Sequence, residues 1–211
     1  MKKAYIFDLD GTLVDSMGRG WSVIFRFLDE RGVKYPSDLV KRVITLGIPG
    51  IANYYKEHFN LKESKEEILE YFLTNMRVLY ENSIPLKETV KETLIALKAQ
   101  GHSLNVLTAS PHIFLDPAIT RLGVADLFDN AWTIEDFGIT KADPRIYQMA
   151  AERLGLPYEN CIMVDDSIGA IKTANAAGLQ TIGVYDDFSK DYVDEMKAHA
   201  NKYVYKFSEM L

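Results

Sequence analysis

The sequence predicts an α/β fold in which a parallel sheet carries helices on both faces and an all-α subdomain is inserted. Short apolar runs alternate with longer helical patterns over most of the chain, and glycines follow several of these patterns. Alternating strands and helices form βαβ units, which build parallel sheets. Residues 17–84, by contrast, contain helical patterns alone.

The apolar runs are predicted to be strands buried on both faces, because they are short and mostly apolar. These predicted strands are residues 4–7, 103–108, 161–164 and 181–185, and a further short run covers 132–134. The helical patterns between them cover residues 87–100, 111–122, 144–154 and 167–177. Pro144 suits the first turn of its helix. The residues after the helical patterns are Gly101, Gly123, Gly155 and Gly178, as expected where a helix ends with positive φ.

The stretch without strands is predicted to be a separate helical subdomain. Its helical patterns cover residues 21–31, 51–59 and 65–81. Gly18, Gly20 and Pro85 are plausible hinges at its two ends. We therefore expect two domains, the first made of residues 1–16 and 85–211 and the second of residues 17–84.

Composition narrows the classes of function. The chain has 211 residues, with 24 Lys and Arg against 30 Asp and Glu, so its net charge is −6. An acidic surface repels a phosphate backbone, so no nucleic acid partner is expected. The single Cys161 fits a reducing compartment. The apolar run that ends at Asp8 is too short for a signal peptide, and no stretch is long enough for a membrane helix. These features predict a cytoplasmic protein without a membrane partner.

Polar residues end several of the predicted strands. They are Asp8 and Asp10, then Thr108, Ala109 and Ser110, then Lys141 in the loop after residues 132–134, and finally Asp165 and Asp166. Ligands bind at the carboxyl ends of the strands in open parallel sheets. Clustered carboxylates repel one another and so imply a bound cation, and ligand sets made only of oxygen select Mg²⁺.

Each of these residues also has an ordinary structural interpretation. An Asp-Gly pair often closes a hairpin, although two carboxylates at the end of an apolar strand are hard to explain in that way. Asp165 and Asp166 fit the start of a helix, where acidic residues are favoured. By its local sequence alone, Lys141 is an ordinary surface lysine and Thr108 an ordinary β-branched strand residue. Only their order along the chain distinguishes the functional interpretation.

Residues 7–16, with the sequence FDLDGTLVDS, closely resemble the first motif of the haloacid dehalogenase-like hydrolases. The other three motifs of that family follow in order at Thr108, Lys141 and Asp165-Asp166. The resemblance covers nearly the whole chain and is greatest to the branch with a helical cap, which includes phosphoglycolate phosphatases and β-phosphoglucomutases. It implies a Rossmann-like catalytic core, with the helical segment as the cap.

The resemblance also implies catalytic and metal-binding roles. Asp8 would attack phosphorus and form an aspartyl-phosphate. Asp10 would protonate the leaving alkoxide and then deprotonate the hydrolytic water. Mg²⁺ would be held by Asp8, the carbonyl of Asp10 and Asp166. Asp165 would support either the metal site or Lys141.

Phosphate oxygens would be bound by Thr108, Lys141 and backbone N–H groups around Ala109. Arg19, one hinge away from Asp15, is expected to reach toward the substrate. The lysine motif, usually Gly-Lys-Pro, here reads Thr-Lys-Ala. The asparagine that often follows the motif threonine is also missing, because Ala109 and Ser110 stand there. Both departures could shift specificity without removing a charge that the mechanism needs.

Three functions remain open within this resemblance. The presence of Asp10 argues against dehalogenases and phosphonatases. Gly20 stands where β-phosphoglucomutases typically have a histidine, so a phosphatase for a small phosphate monoester, of the phosphoglycolate or sugar phosphate type, is the preferred interpretation. A phosphosugar mutase is the alternative, and a catalytically idle phosphate- or metal-binding protein is the alternative from another class. The expected partner is a small phosphorylated metabolite, and the expected state is a monomer or weak dimer.

Overall fold

The computed structural model describes residues 2–43 and 46–211. The chain forms two compact units. One combines the residues up to Met17 with Ile84–Leu211 and contains the sheet. The other is Gly18–Ser83 and is helical.

The described part of the chain contains six strands in one sheet. They are β1 (Ala4–Phe7), β2 (Ser103–Thr108), β3 (Asn130–Thr133), β4 (Cys161–Asp165), β5 (Gln180–Val184) and β6 (Lys202–Val204). All neighbours are parallel, and the order across the sheet is β3-β2-β1-β4-β5-β6. This is the strand order of a Rossmann-like doubly wound fold. The predicted α/β class is confirmed.

Nine α-helices lie within the described residues. They are α1 (Met17–Asp29), α2 (Leu39–Val43), α3 (Gly47–His58), α4 (Lys65–Asn82), α5 (Val90–Ala99), α6 (His112–Arg121), α7 (Arg145–Leu154), α8 (Ile168–Ala176) and α9 (Val193–His199). In the same part of the chain, no helix is long and apolar enough to cross a membrane.

The glycines that were predicted to end helices have the expected backbone conformation. Gly101, Gly123, Gly155 and Gly178 all have positive φ, between 64° and 92°. Helix α5 begins later than predicted, at Val90 rather than near residue 87. The preceding Thr89 has φ of 63°, a left-handed conformation that cannot continue into a helix on its N-terminal side.

Elements β6, α2 and α9 are not predicted from the sequence. Strand β6 has three residues, and only Val204 is buried, so it carries no apolar run. Helix α2 has five residues and α9 has seven, too few for a helical period to be recognised. Tertiary packing rather than local pattern places these short elements.

The helical unit has an aromatic core of its own. Phe27 of α1, Tyr55 of α3 and Phe72 of α4 are fully buried, and their ring centroids lie 5.5–6.1 Å apart. Helix α4 begins with a capping box, in which Ser64 and Glu67 satisfy each other's backbone N–H groups. The unit therefore has the hydrophobic core that separate folding requires.

Candidate active site

The strand order places one crevice at the centre of the sheet. Strand β1 lies between β2 and β4, so the chain leaves the ends of these neighbouring strands toward different sides. Phe7 pairs with Val164, so the residues that follow them in the chain, Asp8 and Asp165, lie side by side at the same edge. The Asp8 N–H donates to the Val164 carbonyl at 2.9 Å. Ligands bind at such switch points in parallel sheets.

Lys141 lies between the two carboxylates at this edge. Its Nζ is 2.7 Å from Asp8 Oδ1 and 2.5 Å from Asp165 Oδ2. Burial opposes the ammonium charge, but Asp165 and Asp8 outweigh burial and raise the pKa of Lys141 above its ordinary value. The Tyr147 hydroxyl donates to the Lys141 carbonyl at 3.2 Å. The lysine is therefore a fixed cation rather than an exposed surface residue.

Three buried carboxylates form the acidic cluster, which consists of Asp8, Asp165 and Asp166. One oxygen from each lies within 4.8 Å of the others. Burial raises the pKa of Asp8 to about 7, against the opposing charge of Lys141. Burial also raises the pKa of Asp166 well above its usual range, and the other two carboxylates add to the effect. Three carboxylates share the single ammonium of Lys141, and an oxygen-only cluster with this excess of acidic groups fits a hard divalent cation.

Thr12 holds Asp166 in place from the loop after β1. The Thr12 hydroxyl donates to Asp166 Oδ1 at 3.0 Å and accepts from the Asp166 N–H at 3.0 Å. Thr12 is fully buried, so water does not compete for these bonds. The two loops that carry Asp8 and Asp166 are thereby joined directly.

Gly11 lets these loops approach each other. Its φ is 73°, and a Cβ at this position would lie 2.5 Å from Asp166 Oδ2. Any side chain would be strained by the backbone and would collide with the carboxylate. The glycine of the first motif is thus required by both conformation and space.

Two serine hydroxyls hold the carboxylate of Asp10. Ser16 Oγ donates to Asp10 Oδ1 and Ser110 Oγ donates to Asp10 Oδ2, each at 2.6 Å. Asp10 also lies close enough to contribute to the raised pKa of Asp8. Ser110 stands after Ala109, where the sequence departs from the family pattern, and it supplies a contact to Asp10.

Thr108 ends β2 at the same edge of the sheet. Its side chain is buried, and Oγ1 accepts from the Ser110 N–H at 3.0 Å. Ala109 is exposed between them. Thr108 pairs with Thr133 of β3, and this pairing fixes where the turn at residues 108–110 leaves the sheet.

The structure brings together most of the predicted site residues. Asp8, Lys141, Asp165 and Asp166 are in direct contact or within one cluster. Asp10 connects to the turn at Thr108, Ala109 and Ser110. Arg19 lies in the helical unit, on the first turn of α1, and is exposed.

The sequence predicts no role for Thr12, Ser16, Ser110 or Tyr147. Thr12 and Ser16 stand within the first motif, and Ser110 follows the motif threonine. Their positions next to predicted site residues are the only sequence feature that indicates a role. No local pattern shows which carboxylate a hydroxyl will bond.

The acidic cluster and the succession of loops at this edge of the sheet resemble those of one family of hydrolases. The chain matches the family model of the haloacid dehalogenase-like hydrolases over residues 2–178, and it belongs to this family. It is an enzyme of the phosphoric monoester hydrolase type within that family.

Individual relatives are similar over most of their length. A phosphoglycolate phosphatase from Colwellia psychrerythraea is 28% identical, over 100% of this chain and 96% of the relative. Hexitol phosphatase B from Escherichia coli K12 is 27% identical, over 86% of this chain and 82% of the relative. A solved structure from Thermotoga maritima, described as a candidate β-phosphoglucomutase, superposes with a TM-score of 0.82 at 24% identity. It covers 100% of this chain and 97% of its own, and at that identity it establishes the fold alone.

Proposed function

We propose that this chain is a Mg²⁺-dependent phosphatase that hydrolyses a small phosphate monoester through a phosphoryl group carried on Asp8. The observation that carries the proposal is the contact between the Asp8 carboxylate and the Lys141 ammonium inside the acidic cluster. A carboxylate at the end of a central strand, beside a fixed cation, is placed to attack a phosphoryl group that the cation helps to bind.

Asp8 supplies the nucleophile. One carboxylate oxygen forms a bond to phosphorus while the bond from phosphorus to the ester oxygen breaks. Oδ1 accepts a hydrogen bond from Lys141, which holds the carboxylate in place for the attack. The attack requires the ionised carboxylate, which the neighbouring ammonium favours and burial opposes.

The proposed Mg²⁺ would be held by Asp8, Asp166 and the backbone carbonyl of Asp10. When bound, the ion offsets the repulsion between the nucleophile and the phosphate. Thr12 orients Asp166 for this role through its two hydrogen bonds. Asp165 has both oxygens engaged, by Lys141 and by the Ser167 N–H at 2.8 Å. These contacts favour support of Lys141 as its role over direct binding of the metal.

Asp10 transfers the proton. In the first half-reaction it gives a proton to the leaving alkoxide, and in the second it takes a proton from the water that attacks phosphorus. The bond from phosphorus to Asp8 then breaks, which releases phosphate and restores the carboxylate. Ser16 and Ser110 hold the Asp10 carboxylate between these two steps.

Phosphate oxygens would be bound by the Thr108 hydroxyl, the backbone N–H groups at Ala109 and the ammonium of Lys141. These donors stand at fixed positions, so they can stabilise charge in the transition state without rearrangement. The helical unit, Gly18–Ser83, is proposed to act as a cap that excludes water and selects the substrate, with Arg19 as a substrate contact.

The proposed substrate is a small phosphorylated metabolite, of the phosphoglycolate or sugar phosphate type. The names of the curated relatives support this class, since they include a phosphoglycolate phosphatase and a hexitol phosphatase. We also propose a cytoplasmic enzyme that acts as a monomer or weak dimer, consistent with its acidic charge and single cysteine.

The direct test is phosphate release from a panel of small phosphate esters, with Mg²⁺ and with EDTA. We expect release that requires Mg²⁺ and that falls at least about a thousandfold in Asp8→Asn, because the nucleophile is lost. The matched control is Asp126→Asn, an exposed carboxylate after α6, which should retain the wild-type rate.

Each outcome of the panel has a distinct meaning. Release that survives Asp8→Asn would mean that the nucleophile is wrong. Without any hydrolysis, isomerisation of β-glucose 1-phosphate tests the mutase alternative. A second negative result, in a folded protein that binds Mg²⁺, would favour the idle binding protein and contradict the proposal.

A further inference from the structure

Lys87 lies in the segment that follows the helical unit, and its side chain contacts the catalytic loop, which is residues 8–15 after β1. We propose that Lys87 is a positioning residue for the metal site: it holds Gly11 against Asp166 and thereby sets the spacing of the groups that bind the cation. This inference rests on the proposed function, because it concerns the Mg²⁺ site assigned there.

The backbone around Lys87 is paired with the catalytic loop. The Lys87 N–H donates to the Leu13 carbonyl, and the Asp15 N–H donates to the Pro85 carbonyl, both at 3.0 Å. Two short antiparallel segments therefore run beside each other where the chain leaves and re-enters the sheet-containing unit. This pairing fixes the root of the Lys87 side chain.

The ammonium of Lys87 joins three acceptors from two loops. Nζ lies 2.6 Å from the Gly11 carbonyl, 2.5 Å from the Tyr185 carbonyl and 3.0 Å from Asp186 Oδ2. A lysine ammonium has three donors, so this geometry uses all of them. The Asp186 side chain is 6% exposed and that of Lys87 is 18% exposed. A buried charge pair of this kind is strongly disturbed when one partner is removed.

The position of Gly11 controls the metal site. Its Cα lies so close to Asp166 that an added Cβ would be 2.5 Å from the carboxylate. Its amide nitrogen belongs to the same peptide as the Asp10 carbonyl, a proposed metal ligand. A shift of Gly11 would therefore alter the spacing between that carbonyl and the Asp166 carboxylate.

Lys87 positions Gly11 without adding net charge beside the proposed Mg²⁺. Asp186 neutralises the ammonium, and its own negative charge reaches Asp166, where it adds to the raised pKa of that carboxyl. Removing the ammonium would break the link between the Gly11 carbonyl and the Tyr185 carbonyl, which directly follows β5. The expected result is a looser ligand set rather than a missing ligand.

The test measures Mg²⁺ binding itself, by titration calorimetry without substrate, on wild type, Lys87→Met and Lys206→Met. We expect the Mg²⁺ dissociation constant to rise about tenfold in Lys87→Met, the range seen when partners of metal ligands are removed. Lys206→Met is the matched control, because Lys206 belongs to the same unit and pairs with Glu88 at the surface. It should bind Mg²⁺ as wild type does.

A second readout separates positioning from stability. The increase of Tm that saturating Mg²⁺ produces should shrink in Lys87→Met, whatever its Tm without metal. If Lys87→Met does not fold, Lys87→Arg decides, because a guanidinium cannot serve all three acceptors from one nitrogen and should bind Mg²⁺ several-fold more weakly.

Failure of this inference can be told apart from failure of the proposed function. If wild type does not bind Mg²⁺, the proposed metal site is wrong. If wild type binds it and the folded Lys87 variant binds it equally well, Lys87 has no positioning role and the inference is overturned.

Discussion

Asp10 accepts hydrogen bonds from Ser16 and Ser110, one on each carboxylate oxygen. Proton transfer is sensitive to geometry, because the acid must lie within hydrogen-bonding reach of the leaving oxygen. Because both of its oxygens are hydrogen-bonded, the carboxylate keeps one orientation. Its position relative to the leaving oxygen is therefore the same for each substrate molecule. Ser110 therefore acts through Asp10 in our account of the reaction.

Ser110→Ala tests this role. We expect kcat/KM to fall about tenfold for alkyl phosphates, whose leaving group needs the proton from Asp10, and to change little for activated aryl phosphates. The exposed Ser208→Ala is the control, because the Ser208 backbone N–H donates to Thr89, which has no role in the proposed reaction. Equal losses on both kinds of ester would contradict a role through the acid.

At this scale, the residues that could be predicted from the sequence are those at the ends of strands. Asp8 and Asp166 were predicted because parallel strands bring their carboxyl ends to one edge. Lys141 lies in the loop after β3 and was predicted only from its place in the order of the family motifs. Thr12 was not assigned, since its partner Asp166 lies 154 positions away, and Ser110 lies 100 positions from Asp10. A hydrogen bond at such separation depends on packing that no local pattern encodes.

At the scale of elements, His112 joins the start of α6 to the turn after β3. One ring nitrogen contacts Asp116 at 3.1 Å and the other contacts Asp136 at 2.9 Å. The hydrogen bond to Asp116 raises the pKa of His112, Asp136 adds to this effect and burial opposes it. The bridge thus connects the loop after Thr108 to the segment that leads toward Lys141.

His112→Gln should lower stability at low pH and have almost no effect at high pH. Because the folded-state pKa of His112 lies above the unfolded value near 6.5, its contribution is fully present below about pH 6.5 and is lost as pH rises through the folded value. We expect a loss of about 0.5 kcal/mol near pH 6, typical of partly exposed pairs, and almost none near pH 9.

Denaturant unfolding at both pH values makes this measurement. His199→Gln is the control, because that ring contacts the Glu195 backbone carbonyl rather than two carboxylates. A loss for His112→Gln that is the same at both pH values would mean that the bridge does not depend on charge.

The length of an element decided how well it could be predicted. Strands β1, β2, β4 and β5 are buried apolar runs, so their composition identifies them. Strand β6 is an edge strand with one buried residue and leaves no such signal. The start of α5 was misplaced because Thr89 adopts a backbone conformation that favours glycine, which its residue type does not reveal.

For the whole molecule, the strand order explains why one edge carries the chemistry. The strand order changes sense between β1 and β4, since β2 and β3 lie on one side of β1 and β4, β5 and β6 on the other, so the loops after β1 and β4 diverge and leave a crevice. The acidic cluster lies there with Lys141 beside it. A chain with a net charge of −6 would repel a phosphate ester over most of its surface. In the crevice, Lys141 and the proposed Mg²⁺ would instead attract the phosphate ester.

The central claim is that Asp8 carries the phosphoryl group. Asp10→Asn should accept it from an activated aryl phosphate, which needs no acid, but should be slow to hydrolyse it, because the base is missing. The most direct measurement is the intact mass of Asp10→Asn after acid quenching of a reaction with Mg²⁺ and this ester. We predict the added mass of one phosphoryl group, located on Asp8 by peptide mapping and absent from the variant that also carries Asp8→Asn. A phosphoryl group on another residue, or no adduct although wild type releases phosphate from the same ester, would contradict the account.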